Sequence, residues 1–418
     1  MNQVQSNPLS RTLFVAAALA ATSASTATSL AASDKPLIPR AVIFGNPERA
    51  SPSLSPDGTQ VAFLAPYEGV LNVWVAPLDL STVGPDGLLA AAQPRPVTKS
   101  TDRPIGRFSW AQNGEQILYL KDRGGNENYQ VFAVDLATGE ERNLTPGENT
   151  LAQILDTDKK FPDEILVMSN ARDPRMLDAH RVNTRTGEST MIFENTAGWI
   201  DVVPDPEWNI RARVKMEPDG STTTELRDSA DGPWYTFLKV PFEDAQTTSF
   251  VGFTKDGRGA YMIDSRNRNT AALFRVTPSP DDGKQELIYA NDKADVSGAM
   301  VNPDSRDVEA VESEYLRSEW TILSDAIRRD FEALAKLDRG DFEVTSRSRD
   351  DSKWVVIYRS DLSPARWWLW DRKAGKGVYL GAARPALASK PLQPMLTVEI
   401  PARDGLTLPS YLTLPSPD

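Results

Sequence analysis

A short unit recurs along this chain, and its recurrence restricts the fold more than any other feature. It is first seen at Leu54-Ser55-Pro56-Asp57-Gly58, followed by the apolar run Val61-Ala62-Phe63-Leu64. Proline presets φ, aspartate bonds its own backbone and glycine accepts positive φ, so the first part is a turn. The second part is a short buried strand bounded by turn signals. Weaker copies of the turn centre on residues 113, 159, 205, 256, 304 and 351, at intervals of 46 to 56 residues. Each copy precedes an apolar run, at 117–120, 164–167, 210–214, 260–263, 308–311 and 354–358. Outer hairpins follow, such as 182–188 and 368–375. Seven units of about four short strands each predict an all-β, seven-bladed β-propeller, because one four-stranded sheet cannot cover both its faces but a ring of sheets can.

Two stretches depart from this period. Ser324 to Leu337 reads as a helix with Ile327, Phe331 and Leu334 on one face, Ser324 as N-cap and Gly340 beyond its end. It is expected as an insertion in the sixth unit. Near the C-terminus, 396–403 and 406–415 alternate around Asp404-Gly405 and predict a β-hairpin. Such a hairpin is marginal alone and needs a sheet to join.

The N-terminus carries a targeting pattern. Arg11 is the only charged residue among the first 33, Leu13 to Ala21 is apolar, and small residues run to Ala32. That is the layout of a secretory signal peptide, and its core is too short to span a bilayer. The expected divisions are a signal peptide at 1–32, an N-terminal segment at 33–45, the propeller at 46–380, a linker at 381–395 and the start of a second domain at 396–418. The protein is expected to be exported, periplasmic or secreted, with no membrane span after signal cleavage.

Composition removes several function classes. Net charge is −12, which opposes nucleic-acid binding. There is no cysteine, so zinc–thiolate sites, disulfides and cysteine nucleophiles are excluded. No cofactor and no metal site is expected, since the acidic pairs Asp281-Asp282 and Asp350-Asp351 lack a calcium-loop spacing. His180 is the only histidine, so any serine–histidine chemistry within the chain must use it, and it falls in the middle of an expected strand. Trp367, Trp368 and Trp370 are expected to pack between blades, with 368 and 370 on one sheet face.

Four stretches resemble the prolyl oligopeptidase (S9) family of serine peptidases, in particular its bacterial acylaminoacyl-peptidase-like branch. They are 54–58 with 72–75; Gly106-Arg107-Phe108-Ser109-Trp110; Asp122 to Tyr129 with 134–140; and Arg403-Asp404-Gly405-Leu406-Thr407-Leu408-Pro409-Ser410-Tyr411-Leu412. The last is similar to the strands that open the α/β-hydrolase domain of that family. The resemblance implies a propeller that limits access of short peptides to a Ser-His-Asp domain, so that 396–418 is the first hairpin of an incomplete hydrolase domain. No Gly-x-Ser-x-Gly elbow occurs within 1–418, so no catalytic residue can be assigned here and the chain alone is expected to be inactive. Arg123 and Glu127, in the 122–129 loop, are the candidates for substrate gating or interdomain contact. The alternative is an exported, non-catalytic propeller that binds proteins.

Overall fold

The computed structural model describes residues 37–280 and 284–415. The expected signal peptide and the Asp281-Asp282 pair lie outside them. Seven antiparallel sheets follow one another along the chain, over 50–96, 108–143, 152–193, 199–240, 249–289, 296–322 and 341–382. In each, the strands neighbour one another in sequence order. The expected apolar runs all fall in the second strand of a blade: Gln60–Tyr67, Gln116–Lys121, Glu164–Asp173, Ile210–Met216, Ala260–Asp264, Val308–Glu314 and Lys353–Ser360. The position explains the composition. A second strand has a partner on each edge and a blade against each face, so it reads as a continuous apolar run rather than an alternating one.

The buried side chains decide that the sheets form a ring. Among the described residues they gather in seven clusters, and each cluster joins two consecutive blades. Val73 and Val75 meet Trp110 and Ile117 between the first and second blades. Leu118 and Val131 meet Ile165 and Val167 at the next joint. The series continues through Met168 with Ile210, Leu226 with Phe253, Ile263 with Val296, and Ala310 with Trp354. The seventh joint closes the circle: Leu54, Val61 and Phe63 pack on Val355, Ile357, Trp367 and Leu369. Hydrogen bonds run along that seam, with Leu54 N donating to Ser346 Oγ (3.0 Å) and Arg349 N to the Pro56 carbonyl (2.7 Å).

The helix Asp325–Leu337 is capped by Ser324, whose Oγ accepts from Ala326 N (3.3 Å). Ile327, Phe331 and Leu334 are buried, as the spacing predicts. It is not added to a complete blade, however. The sixth sheet has three strands, and the helix follows the third, Ser318–Ile322, packing against it where a fourth strand would lie. Trp368 and Trp370 face this helix, their indole N–H groups donating to Asp338 and Asp330 (2.8 Å each). Trp367 points the other way, into the seam with the first blade.

Two further differences concern the C-terminal part. The outer strand of the last blade is Lys376–Ala382, so it runs into the stretch expected as linker. The next residue is also used structurally: the Ala383 carbonyl accepts from Glu48 N (2.8 Å), and Arg384 donates to the Gly45 carbonyl (3.0 Å). The hairpin pairs Met395–Pro401 with Thr407–Thr413, and Pro401 faces Thr407. Asp404-Gly405 is therefore not a two-residue turn. The loop spans 402–406, closed by Ala402 N to the Leu406 carbonyl (2.7 Å), with Gly405 at φ +89°.

Candidate functional site

Strand order fixes which loops share a face of the ring. In an up-and-down blade, the connections from first to second strand emerge at one face. Those from second to third emerge at the other, together with the links between blades. The Pro56-Asp57-Gly58 turn and its copies thus define a turn face. The opposite face carries 122–129, Tyr315 to Arg317, Asp361-Leu362 and the blade link that contains Lys293.

The C-terminal hairpin sits on that opposite face. Met395 N donates to Asp361 Oδ2 (2.5 Å), and Tyr315 Oη donates to Glu399 Oε1 (2.8 Å). Lys293 Nζ lies 3.6 Å from Glu399 and over the Tyr315 ring, 4.9 Å from its centroid. A carboxylate beside a phenol raises the cost of deprotonating it, so Tyr315 is shifted upward by Glu399, while Tyr315 and Lys293 hold Glu399 below its ordinary value. Between hairpin and blades an open groove of about 580 Å³ is lined by Asn291, Lys293, Tyr315, Leu316, Glu319, Thr397 and Glu399.

Period-two alternation divides the hairpin. Thr397 and Glu399 face the propeller, so Leu396, Val398 and Ile400 project from the other side, where Leu412 and Leu408 are the cross-strand partners of 396 and 400. All five of these aliphatic side chains remain between 36% and 48% exposed. The polar side of the hairpin is docked, and its apolar side is uncovered.

Arg123 and Glu127 lie on the same face, in the loop between the second and third strands of the second blade. Both are exposed, and neither side chain has a hydrogen bond or ion pair among the described residues. The loop is nevertheless shaped. Asp122 is buried and receives Arg103 through Nε (3.2 Å) and Nη2 (3.3 Å), and also the Glu127 backbone N–H (3.2 Å). Burial alone would raise the Asp122 carboxyl, but these donors outweigh it and hold it below the ordinary value. Glu127 has φ +58°, which presents its side chain from a left-handed bend. Sequence reasoning picked out the loop but missed Arg103, whose role depends on a partner 19 residues away. Tyr315, Lys293, Asp361 and Glu399 were missed too, because only the ring brings them together.

His180 offers a serine–histidine contact that does not make a catalytic unit. Its Nδ1 is 3.3 Å from Ser189 Oγ, on the adjacent outer strand of the third blade. Burial holds the imidazole below its ordinary value. Asp178, two residues away, is not its orienting partner: the carboxylate is bound at both oxygens by Arg172 (2.8 Å each) and by Asn195 N (2.7 Å). Ser189 lies on a regular strand, Ser189–Phe193, without the strained turn that presents a nucleophile. No group of three or more potential ligands able to hold a metal occurs among the described residues, and no helix there is long and apolar enough to cross a membrane.

Comparison with known proteins places the fold. No family model matches the chain. It is 41% identical over 379 residues to dipeptidyl aminopeptidase BIII of Pseudoxanthomonas mexicana, covering 91% of this chain and 53% of that protein. It is 25% identical over 394 residues to dipeptidyl peptidase family member 6 of Caenorhabditis elegans, covering 91% of this chain and 52% of the relative. Solved structures with the same fold include prolyl oligopeptidase B of Galerina marginata (TM-score 0.59, 11% identity, 88% of this chain and 55% of that one). A puromycin-hydrolysing peptidase of Mycobacterium tuberculosis gives a TM-score of 0.56 at 13% identity, over 88% of this chain and 58% of that one. The chain resembles the propeller portion of prolyl oligopeptidase (S9) family proteins. Its fold is a seven-bladed propeller. It spans about half the length of the curated relatives it matches. Both of those relatives bear dipeptidyl peptidase names, whereas the sequence motifs resembled the acylaminoacyl-peptidase-like branch.

Proposed function

We propose that this S9 propeller is the substrate-gating part of an exported serine peptidase that hydrolyses short peptides. The hairpin at 395–413 then opens an α/β-hydrolase domain that rests on the face bearing Arg123 and Glu127. The relatives' names extend the proposal to release of dipeptides from peptide substrates. The chemistry is acyl transfer to water: a serine attacks the peptide carbonyl, a histidine moves its proton, and backbone N–H groups hold the oxyanion. Those groups belong to the further domain and not to residues 1–418.

The observation that carries this reading is the hairpin's two-sidedness. Its polar side is anchored by Asp361, Tyr315 and Lys293, while five aliphatic side chains on the other side lack cover. Burying what remains exposed of each would contribute roughly 0.5–1.5 kcal/mol, which a following sheet and its helices would supply.

The test compares two proteins. Residues 33–418 should neither cleave peptides nor react with a fluorophosphonate probe. A longer chain continuing in frame through a hydrolase domain should do both. Probe labelling of a serine within 33–418, abolished by His180→Ala, would overturn the proposal. An inactive longer chain that captures proteins would favour a binding module. Export is tested by N-terminal sequencing of protein secreted from a bacterial host, which should begin about 24–32 residues in; an intact 13–21 segment would refute it.

A further inference from the structure

Every sheet of the ring is built from one unbroken run of chain, the first over 50–96 and the last over 341–382. At six joints the chain itself crosses from one blade to the next. At the seventh it does not, and no described strand of the first sheet pairs with a strand of the last. That joint depends on side-chain packing and a few hydrogen bonds, so it is the place where a closed ring parts most easily.

The first blade carries an addition beside this joint. Residues 78–94 connect its third strand, Val70–Pro77, to its short fourth strand, Arg95–Pro96. The same connection is 184–188 in the third blade and 372–375 in the seventh. Much of the addition is exposed, Leu80 and Val83 included. Its buried residues are Gly87, Leu88, Leu89 and Ala92.

These four meet the last blade. Leu88 and Leu89, 0% and 1% exposed, enter with Ala92 the cluster that holds Leu380 and Ala383, together with Val61 and Val355. The helical turn Leu88–Ala91 packs against the outer strand of the last blade, Lys376–Ala382. Gly87 brings backbone against backbone. A Cβ there would lie 2.6 Å from the Leu380 carbonyl oxygen and 2.9 Å from Gly381 N, and its φ of +93° is one that glycine adopts freely. Gly87 N donates to the Gly84 carbonyl (3.0 Å), so Pro85 and Asp86 form the turn that delivers it.

We propose that residues 78–94 are a clasp, by which the first blade grips the outer edge of the last and holds shut the one joint that the chain does not cross. The inference rests on the ring alone and stands whether or not the peptidase reading is right. The buried side chains of the clasp belong to the seventh joint and to no other cluster. Loosening the clasp therefore opens that joint while the other six stay closed, and its exposed tip is dispensable.

The absence of cysteine permits single reporter thiols in the full chain. Val61→Cys places one in the seventh joint and Val167→Cys one between the second and third blades, both at fully buried positions. The rate of reaction with a maleimide dye is measured for each thiol alone, with Leu88→Ala/Leu89→Ala, with Gly87→Ala, and with Leu80→Ser/Val83→Ser at the tip. Urea melts confirm that each protein is folded. If the double-alanine protein is not, Gly87→Ala carries the comparison, because it adds one methyl group against the Leu380 carbonyl. The clasp variants should label the Val61→Cys thiol about tenfold faster or more. The Val167→Cys thiol should stay within about twofold of its original rate, and the tip variant should change neither. Equal acceleration at both thiols would mark a general loss of stability and overturn the proposal, as would an unchanged rate at the Val61→Cys thiol in a folded clasp variant.

Discussion

A hydroxyl two residues ahead of an aspartate closes three of the seven first turns in the same way. Ser55, Thr254 and Ser348 donate through Oγ to Asp57, Asp256 and Asp350 at 2.6, 2.6 and 2.8 Å. Each aspartate also receives a backbone N–H two residues on, at 3.0–3.1 Å. For Asp256 and Asp350 the side-chain hydroxyls, from Thr254 and from Ser352 with Ser348, are the leading cause of a lowered carboxyl. For Asp57 burial pushes upward, and the bonds from Ser55 and Thr59 outweigh it. A carboxylate held below its ordinary value, near 3.8, lends stability that is complete above that value. The contribution is lost as pH falls through the lower folded value. Urea midpoints should therefore drop below about pH 4, after a separate decline that begins near pH 6.5, where unfolding lets the half-buried His180 take up a proton. Ser55→Ala should cost about 1 kcal/mol at neutral pH and soften the acid decline; an unchanged acid slope would remove this account. These turns were legible because a turn's chemistry is local. Asp122 was not, since its carboxylate is held by Arg103 from outside the loop.

Among elements, the helix Asp325–Leu337 shows what periodicity does and does not reveal. Its bounds, N-cap and buried face follow from the spacing of Ile327, Phe331 and Leu334. That it takes the place of a strand does not, because the vacancy exists only once a sheet is seated between two others. Phe331 sits among Trp320, Phe342 and Trp354, with ring centroids 5.9, 5.3 and 6.2 Å away. Phe331→Ala should cost about 3–5 kcal/mol, read as a lower urea midpoint with unchanged slope. The hairpin should behave in the opposite way. Leu408→Ser should change stability by no more than about 0.5 kcal/mol in this chain, because the side chain is already 48% exposed. A large loss there would mean that its apolar side is covered after all. The hairpin's existence was readable from alternation, but its five-residue loop was not, since register depends on which residues pair.

At the scale of the whole molecule, seven blades were countable from the turn spacing, and the seven joints agree with that count. The ion pair that joins the third blade to the sixth, Lys159 with Asp304, was not readable, because partners 145 residues apart in sequence carry no mark of each other. Leu369, fully buried at the seam, tests whether the ring stands as one unit. Leu369→Ala should cost about 2–5 kcal/mol and lower a single unfolding transition seen alike by circular dichroism and tryptophan fluorescence; two separated transitions would show that the blades melt independently. The seam also has a consequence for biosynthesis. Val61 and Phe63 must wait for Val355 and Ile357, made nearly 300 residues later. At about 5–20 residues per second, one face of the first blade stays bare for roughly 15–60 seconds. The nascent chain therefore spends most of its synthesis as an open arc with a sticky leading edge, and any factor that shields that edge acts before the last blade arrives.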